Sequence, residues 1–281
     1  MSLVTLNEIL PAARKAGYGV TAFNVANLET LYSVIRAAEI EKAPLIVQVY
    51  QRLFNDERAA LVAVMTQRLA ENAAVPIVLH LDHGVSVEQI KKAIDIGFTS
   101  VMIDGSQLSF AENIELTARA AAIAHQAGVS IEAEIGHVPF GDGKAALSTA
   151  AEAVEFVGKT GVDALAVSIG TAHGFYKNEP VLDIKRCREI GQSVAIPLVL
   201  HGGTGVPDAQ VKPVIACGVA KINIATEFQY LFLRSVAAEL DKNGEKFMPV
   251  DLYFKPVEEK LKEYARNKIR TFAMKSKNEA Q

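Results

Sequence analysis

The stretch PIVLHLDHG, residues 76–84, passes without a break from an apolar run into a carboxylate, an imidazole and a glycine. Its first six residues predict a buried β-strand, since short apolar runs next to proline or glycine are typical of strands covered on both faces. Asp82 and His83 follow directly. In a barrel of parallel strands, catalytic side chains lie where strands end. The stretch therefore predicts such a barrel, provided that the pattern recurs.

The pattern recurs eight times along the chain. The apolar runs are 19–25, 44–50, 76–82, 99–105, 130–136, 163–170, 196–202 and 220–226. Segments of helical periodicity such as 29–42 and 111–128 separate them, and several end in a glycine such as Gly128. Eight β/α units predict an α/β fold, the (β/α)8 TIM barrel, with a doubly wound open sheet as the alternative. The charged, helical sequence after about residue 240 predicts extra C-terminal helices.

Length and composition restrict the class of protein. A (β/α)8 barrel needs about 250 residues, so 281 residues predict one domain, 1–281. A net charge of −3 without a basic cluster argues against nucleic acid as a partner. We expect no membrane span and no secretory signal, because the sequence lacks the apolar runs that both require. Two cysteines, Cys187 and Cys217, fit a reducing, cytoplasmic environment.

Polar residues concentrate at the ends of the predicted strands. They are Asn24, Asp82, His83, Asp104, Glu132, Glu134, His173, His201, Asn223 and Thr226, and Gly202 and Gly203 follow His201 at the end of the seventh predicted strand. The carboxyl ends of barrel strands meet on one face, where the active sites of this fold lie. The sequence therefore predicts a site on that face.

Three of the six histidines, His83, His173 and His201, come from three different strand ends. Three protein nitrogens with one open position are typical of catalytic zinc; the alternative is three unrelated loop histidines. The remaining histidines are placed in a strand, a helix and a loop: His80, His125 and His137. For His137 a surface role is as plausible as a place in the site.

The carboxylates at these strand ends allow more than one role. Asp82 could orient a ligand histidine or exchange a proton with substrate. Asp104 and Glu134 could bind a metal, orient the histidines, or form a buried polar network. The glycine-rich stretches 171–177 and 201–205 expose backbone N–H groups beside Lys177 and Thr204 and suggest a phosphate site, although such stretches are often ordinary turns.

Taken together, these motifs resemble the zinc-dependent class II fructose/tagatose-bisphosphate aldolases over essentially the whole chain. The resemblance rests on FNV (23–25), LDHG (81–84), MIDGS (102–106), EAEIG (132–136), GTAHGFYK (170–177), LHGGTG (200–205) and KINIAT (221–226). It implies reversible cleavage of a ketose 1-phosphate to dihydroxyacetone phosphate (DHAP) and an aldehyde. It also implies a homodimer or homotetramer, zinc, and a monovalent cation (Na⁺ or K⁺) near the glycine-rich loops.

The resemblance also assigns residues. It implies zinc on His83, His173 and His201, proton transfer at the aldehyde oxygen by Asp82, and a contact of Asn223 with the DHAP part. It further implies that the residues around the C1 phosphate of the substrate are Gly174, Lys177, Gly202, Thr204, Ala225 and Thr226. We add Asn24 and Gly203 as substrate-binding residues, because they end the first and seventh strands.

Three departures from the family pattern concern the substrate. Asp142 stands where the family has the glutamate that moves the DHAP carbon proton, and is either that base or a surface carboxylate. Ala225 is typical of tagatose-type members, and Gln229 replaces a basic residue. Arg52 follows the second strand and suits a planar acid; its alternative is a solvated arginine.

The distal acid could be phosphate, carboxylate or sulfonate, as in fructose or tagatose 1,6-bisphosphate or 6-deoxy-6-sulfofructose 1-phosphate. Two rival functions stay open at this point: a metal-dependent barrel hydrolase, and a non-catalytic aldolase partner subunit. The second is expected to lack the three histidines.

Overall fold

The computed structural model describes residues 3–141, 143, 145–244 and 246–273. The strands are β1 Val20–Asn24, β2 Leu45–Tyr50, β3 Ile77–Gly84, β4 Ser100–Ile103, β5 Ser130–Ile135, β6 Ala164–Val167, β7 Leu198–Leu200 and β8 Val219–Ile224. The helices are α1 Leu6–Ala16, α2 Leu28–Glu41, α3 Gln51–Phe54, α4 Arg58–Asn72, α5 Val87–Asp95, α6 Phe110–Gln126, α7 Ala150–Thr160, α8 Ile184–Ser193, α9 Asp208–Ala216, α10 Thr226–Asn243 and α11 Val250–Phe272.

The eight strands form a closed parallel barrel in the order of the chain. Closure is visible between the first and last strands, where Val20 pairs with Lys221 and Phe23 with Ile224. The (β/α)8 prediction is therefore confirmed, and the open sheet is wrong. The strands form because their side chains are covered both inside and outside the barrel: every residue of β1, β5 and β8 is buried.

Local capping fixes where the helices begin and end. Capping boxes start α6 at Ser109 and α7 at Thr149, each with a glutamate three residues later that bonds back to the cap. Gly161 ends α7 in the left-handed conformation, with φ of 68°, which favours glycine. These capping residues therefore set where each of these helices starts or stops between two successive strands.

The sequence after residue 240 completes α10 and adds α11 to the outside of the barrel, in keeping with the predicted C-terminal helices. Val257, Leu261 and Ala265 of α11 are buried, and α11 packs against α2. Arg266 and Arg270 of α11 also pair with Glu41 of α2. Among the residues that the structure describes, no helix carries an apolar stretch of the length that a bilayer span requires.

Several predicted strand boundaries need correction. β4 ends at Ile103, β6 at Val167 and β7 at Leu200, so Asp104, His201 and Gly203 follow their strands rather than end them. Thr226 was expected in the eighth strand, but β8 ends at Ile224 and Thr226 is the first residue of α10. Ala225 lies between them as the N-cap. The strand ends early because the backbone turns at Ala225, with φ of −127° and ψ of −73°. The N-terminus of α10 thus lies at the carboxyl end of the barrel.

Candidate active site

A cavity of about 450 Å³ opens at the carboxyl end of the barrel. Most of the predicted site residues line it: Asn24, Arg52, Asp82, His83, Asp104, His173, Gly174, Gly202, Thr204, Asn223, Ala225 and Thr226. Within the described part of the chain, three predicted residues lie buried outside this lining: His201, Glu134 and Gly203. Lys177 is exposed and also outside the lining. Asp142 lies outside the described residues.

A local backbone irregularity brings Asp82 and His83 to the same cavity. Successive residues of a regular strand point to opposite faces, yet both side chains line the cavity. His83 has φ of 55°, one of two positive values among the described non-glycine residues, and the register between β3 and β4 shifts between Leu81 and Gly84. A left-handed residue other than glycine costs about 1–2 kcal/mol. Strain of this kind is typical of functional sites.

Three imidazoles converge beside Asp82. Ligand atoms of His83, His173 and His201 all lie within 4.8 Å of one another. His201 Nδ1 and His83 Nε2 lie 3.0 Å apart. Zinc binds imidazole nitrogen at about 2.0–2.1 Å in tetrahedral geometry, which places ligand atoms about 3.4 Å from one another. The three histidines therefore fit one zinc ion.

Carboxylates orient two of the three rings. His83 Nδ1 donates to Asp104 Oδ2 at 2.7 Å, and His201 Nε2 donates to Glu132 Oε1 at 2.8 Å. Each hydrogen bond occupies one nitrogen of the ring and leaves the other nitrogen available to a metal ion bound between the three histidines. The segment of His173 is held through its backbone, since its N–H donates to the Pro139 carbonyl at 2.7 Å and its carbonyl accepts from Gly141 N–H at 2.9 Å.

The electrostatics of the site favour a cation. Burial alone would lower the pKa of His83, but Asp82, Asp104 and Glu134 outweigh it and raise that pKa to about 10. Burial and the neighbouring Asp104 raise the pKa of Glu134 to about 8. Burial and the charge on His83 lower the pKa of His173 to about 4, so His173 offers a neutral nitrogen at pH 7. At pH 7 Glu134 is therefore protonated and His83 is charged, and a bound dication would favour the ionised Glu134 and the neutral His83 instead.

Asp104 and Glu134 lie near the same point. Together with His83 they form a second group whose ligand atoms lie within 4.8 Å of one another. Glu134 Oε1 accepts from the Val138 N–H at 3.0 Å, and its Oε2 lies 3.7 Å from His201 Nδ1. Both carboxylates can therefore orient the histidines or share a metal with them.

Asp82 is held between two amides. Its Oδ2 accepts from Asn24 Nδ2 at 2.7 Å, and its Oδ1 lies 3.4 Å from Asn223 Nδ2. Gln48 fixes Asn24 in turn, with Nε2 donating to Asn24 Oδ1 at 3.0 Å. Burial would raise the pKa of Asp82, but His83 and His201 lower it below its ordinary value. Asp82 is therefore an oriented, ionised carboxylate beside the three imidazoles.

The two glycine-rich loops pack against each other at the cavity. Tyr176 Oη accepts from the Ala172 N–H at 2.9 Å and donates to the Gly202 carbonyl at 2.8 Å. Gly202 has φ of 64°, and a side chain there would clash with the Ala172 carbonyl oxygen. Beside these loops, Thr226 begins α10, whose N-terminal N–H groups and dipole favour an anion. The arrangement suits a phosphate.

Sequence reasoning missed part of the site. His137, which the sequence left open, lines the cavity, and its Nδ1 lies 3.3 Å from Ser106 Oγ. Sequence reasoning also overlooked Lys221, whose Nζ lies 2.8 Å from Glu132 Oε2 beneath His201. The signal for Lys221 was present, because a lysine inside a strand predicted to be buried requires a buried partner.

Comparison with known proteins agrees with this geometry. Residues 4–278 match the family described as "Fructose-bisphosphate aldolase class-II". The chain is 41% identical to a fructose-bisphosphate aldolase of Staphylococcus epidermidis over 97% of this chain and 98% of that protein. It is also 41% identical to a probable fructose-bisphosphate aldolase of Bacillus subtilis over the full length of both.

A solved aldolase structure also resembles this chain over nearly its whole length. The YdjI aldolase of Escherichia coli K12 superposes with a TM-score of 0.86 and 34% identity, over 99% of this chain and 100% of that one. Family match, relatives and fold agree over nearly the whole length. The chain therefore belongs to the class II fructose-bisphosphate aldolase family, a family of lyases.

Proposed function

We propose that this chain is a zinc-dependent aldolase that reversibly cleaves a ketose 1-phosphate to DHAP and an aldehyde carrying a distal acid. The observation that carries the proposal is the convergence of His83, His173 and His201 beside Asp82 in a cavity lined by two glycine-rich loops. Imidazoles alone would also suit a hydrolase. The phosphate-type loops and Asn223 favour the aldolase, because a hydrolase gives them no evident task.

The residues present fit zinc. Zinc prefers imidazole nitrogens, and this site offers three of them. Hydrogen bonds to carboxylates orient two of the three rings, and the carboxylates supply the negative charge that a cation needs nearby. Zinc when bound supplies a Lewis acid that stabilises negative charge on the DHAP fragment. The monovalent cation near the glycine-rich loops, and a homodimer or homotetramer, stay predictions from the family resemblance.

The remaining chemistry belongs to side chains of this chain. During cleavage Asp82 accepts the proton of the C4 hydroxyl as the C3–C4 bond breaks, and in the reverse direction it returns the proton to the aldehyde oxygen. Asn24 and Asn223 hold Asp82 in place. The glycine-rich loops bind the C1 phosphate, which positions the reacting bond. Asp142 stays the predicted residue for proton transfer at the DHAP carbon.

The end of the cavity that Arg52 lines favours an anionic group. Arg52 lines it and is exposed, with its guanidinium carbon 5.1 Å from the centroid of the Tyr50 ring and Nη2 3.3 Å from Tyr50 Oη. Stacking on the Tyr50 ring limits the orientations of the Arg52 guanidinium. This planar group is a hydrogen-bond donor that suits a carboxylate, a sulfonate or a phosphate. Gln229 also lines the cavity and offers an uncharged amide. This end is therefore expected to select the aldehyde.

A DHAP-release assay tests the function. The zinc-loaded protein is given fructose 1,6-bisphosphate, tagatose 1,6-bisphosphate and 6-deoxy-6-sulfofructose 1-phosphate, with and without a chelator. We expect DHAP release that a chelator abolishes and added zinc restores. The values of kcat/KM for the three substrates then show which distal acid the enzyme prefers. Metal retained at the site without DHAP from any ketose 1-phosphate would favour the hydrolase instead.

Substituting Arg52→Ala tests the distal acid. Loss of a charge-assisted hydrogen bond at an exposed site is expected to raise KM about tenfold for substrates with a distal acid, with kcat little changed. Steady-state kinetics on matched substrates with and without that acid measure the effect. Arg58→Ala is the control, since Arg58 is exposed and lies outside the cavity lining. Equal losses on both substrates would exclude Arg52 as the clamp.

A further inference from the structure

A group of fully buried polar residues lies inside the barrel beneath His201. Glu132 of β5 joins His201 to Lys221 of β8: its Oε1 is 2.8 Å from His201 Nε2, and its Oε2 is 2.8 Å from Lys221 Nζ. All three side chains are 0% exposed. His80 lies beside them, with Nε2 3.7 Å from Glu132 Oε2.

Stability alone does not account for this pair. A buried ion pair loses the hydration of both charges, and apolar side chains of similar volume are often as stabilising or more so. The barrel interior also contains apolar residues, such as Ala164, which lies beside Glu132 in the sheet register. A lysine and a glutamate retained in such a place suggest a task at the neighbouring site.

The contact of Glu132 with His201 defines that task. A carboxylate only accepts hydrogen bonds, so the proton of the His201 ring lies on Nε2 and the lone pair on Nδ1. Nδ1 is the nitrogen that lies 3.0 Å from His83 Nε2. The protonation of one ring nitrogen thus determines which nitrogen is offered to a metal.

We propose that Glu132 is a positioning residue for the metal centre: it fixes the tautomer and orientation of His201, and Lys221 compensates its charge. The proposal rests on zinc binding to the three histidines, as in the proposed function. Lys221 supplies the positive charge that compensates the buried carboxylate, through its contact with Glu132 Oε2. His80 completes the packing, with Nδ1 2.7 Å from Ser100 Oγ.

A pair of double variants separates this role from simple charge compensation. Glu132→Gln with Lys221→Met removes both charges but keeps an amide oxygen that accepts from His201 Nε2. Glu132→Leu with Lys221→Met removes both charges and that acceptor. The two double variants share the Lys221→Met substitution and have the same net charge, so they differ chiefly in the bond to His201.

We expect Glu132→Leu/Lys221→Met to lower zinc affinity about 10–100-fold, and Glu132→Gln/Lys221→Met to stay within a few-fold of the natural sequence. Competition with a chromophoric chelator measures the affinity. Cobalt(II) substitution gives a second readout, because the visible absorption bands report ligand geometry. Glu41→Gln is the control: it removes a buried carboxylate that pairs with Arg266 and Arg270 away from the cavity, and should change melting temperature without changing zinc affinity.

Glu132→Asp keeps the test decisive if the leucine variant does not fold. It preserves the charge opposite Lys221 but shortens the reach to His201 by one methylene, so zinc affinity is expected to fall about tenfold. Unchanged zinc affinity and cobalt spectrum in a folded Glu132→Leu/Lys221→Met protein, or in Glu132→Asp, would overturn the inference. Absence of zinc binding by the natural sequence would instead overturn the proposed function.

Discussion

Substituting Asp82→Asn is expected to lower kcat for aldol cleavage about 10³-fold, which corresponds to about 4 kcal/mol of activation free energy. The substitution preserves shape, and a side-chain oxygen can still accept from Asn24, whose Nδ2 lies 2.7 Å from Asp82 Oδ2. It removes the negative charge and the basic oxygen. The C4 hydroxyl proton then has no acceptor as the carbon–carbon bond breaks.

A half-reaction shows whether the loss is specific. DHAP alone exchanges a carbon-bound proton with solvent when an aldolase activates it, and this exchange does not involve the aldehyde oxygen. In Asp82→Asn we expect deuterium exchange into DHAP, followed by NMR, to stay within about tenfold of the natural sequence while cleavage is lost. Zinc content should stay unchanged. Equal losses of exchange and cleavage would mean that Asp82 supports the metal site rather than transferring the proton.

Asp95→Asn is the matched control. Asp95 ends α5 on the surface and is exposed, so this change removes one carboxylate of the same type away from the cavity. Its kinetics should match those of the natural sequence. The comparison separates the position of Asp82 from a general effect of net charge.

The sequence predicted the features that depend on local pattern. Eight apolar runs alternating with capped helices were sufficient for the barrel, since each strand is covered by its own helix and by the strands beside it. The polar residues at the carboxyl ends of those strands then indicated which end of the barrel carries the cavity. His83 and His173 were predicted in this way because the face on which barrel strands end is a consequence of the fold.

The features that the sequence missed depend on contacts between distant segments. Lys221 meets Glu132 only because closure of the barrel turns the side chains of β5 and β8, which are not neighbours in the sheet, into one interior. The positive φ of His83, which brings two successive side chains into one cavity, has no local signal such as glycine at that position. Lys177 was assigned to the phosphate from its glycine-rich loop and from the family resemblance, and the structure places it outside the cavity lining.

Replacing His173 by alanine is expected to abolish both zinc retention and turnover. The zinc content after dialysis should fall from about one ion per chain to below about 0.1, since a three-histidine site becomes a two-histidine site. Turnover should fall at least about 10⁴-fold, or about 5.5 kcal/mol of activation free energy. Metal analysis and the DHAP-release assay measure these two effects.

His173→Ala is also expected to leave the fold intact. The His173 segment is held by hydrogen bonds of its own backbone to Pro139 and Gly141, which alanine retains. The melting temperature of the metal-free protein should therefore change little. His125→Ala is the control, because His125 lies on α6 and pairs with Asp163 at 3.0 Å, away from the cavity.

The two measurements on His173→Ala distinguish three arrangements. Loss of zinc and turnover together supports the three-histidine site. Loss of turnover with zinc retained would indicate that the ion is held by His83, Asp104 and Glu134, whose ligand atoms also lie within 4.8 Å of one another. Survival of both would place the metal elsewhere. The second outcome would make His173 a substrate contact, because its ring lines the cavity and its lowered pKa keeps it neutral.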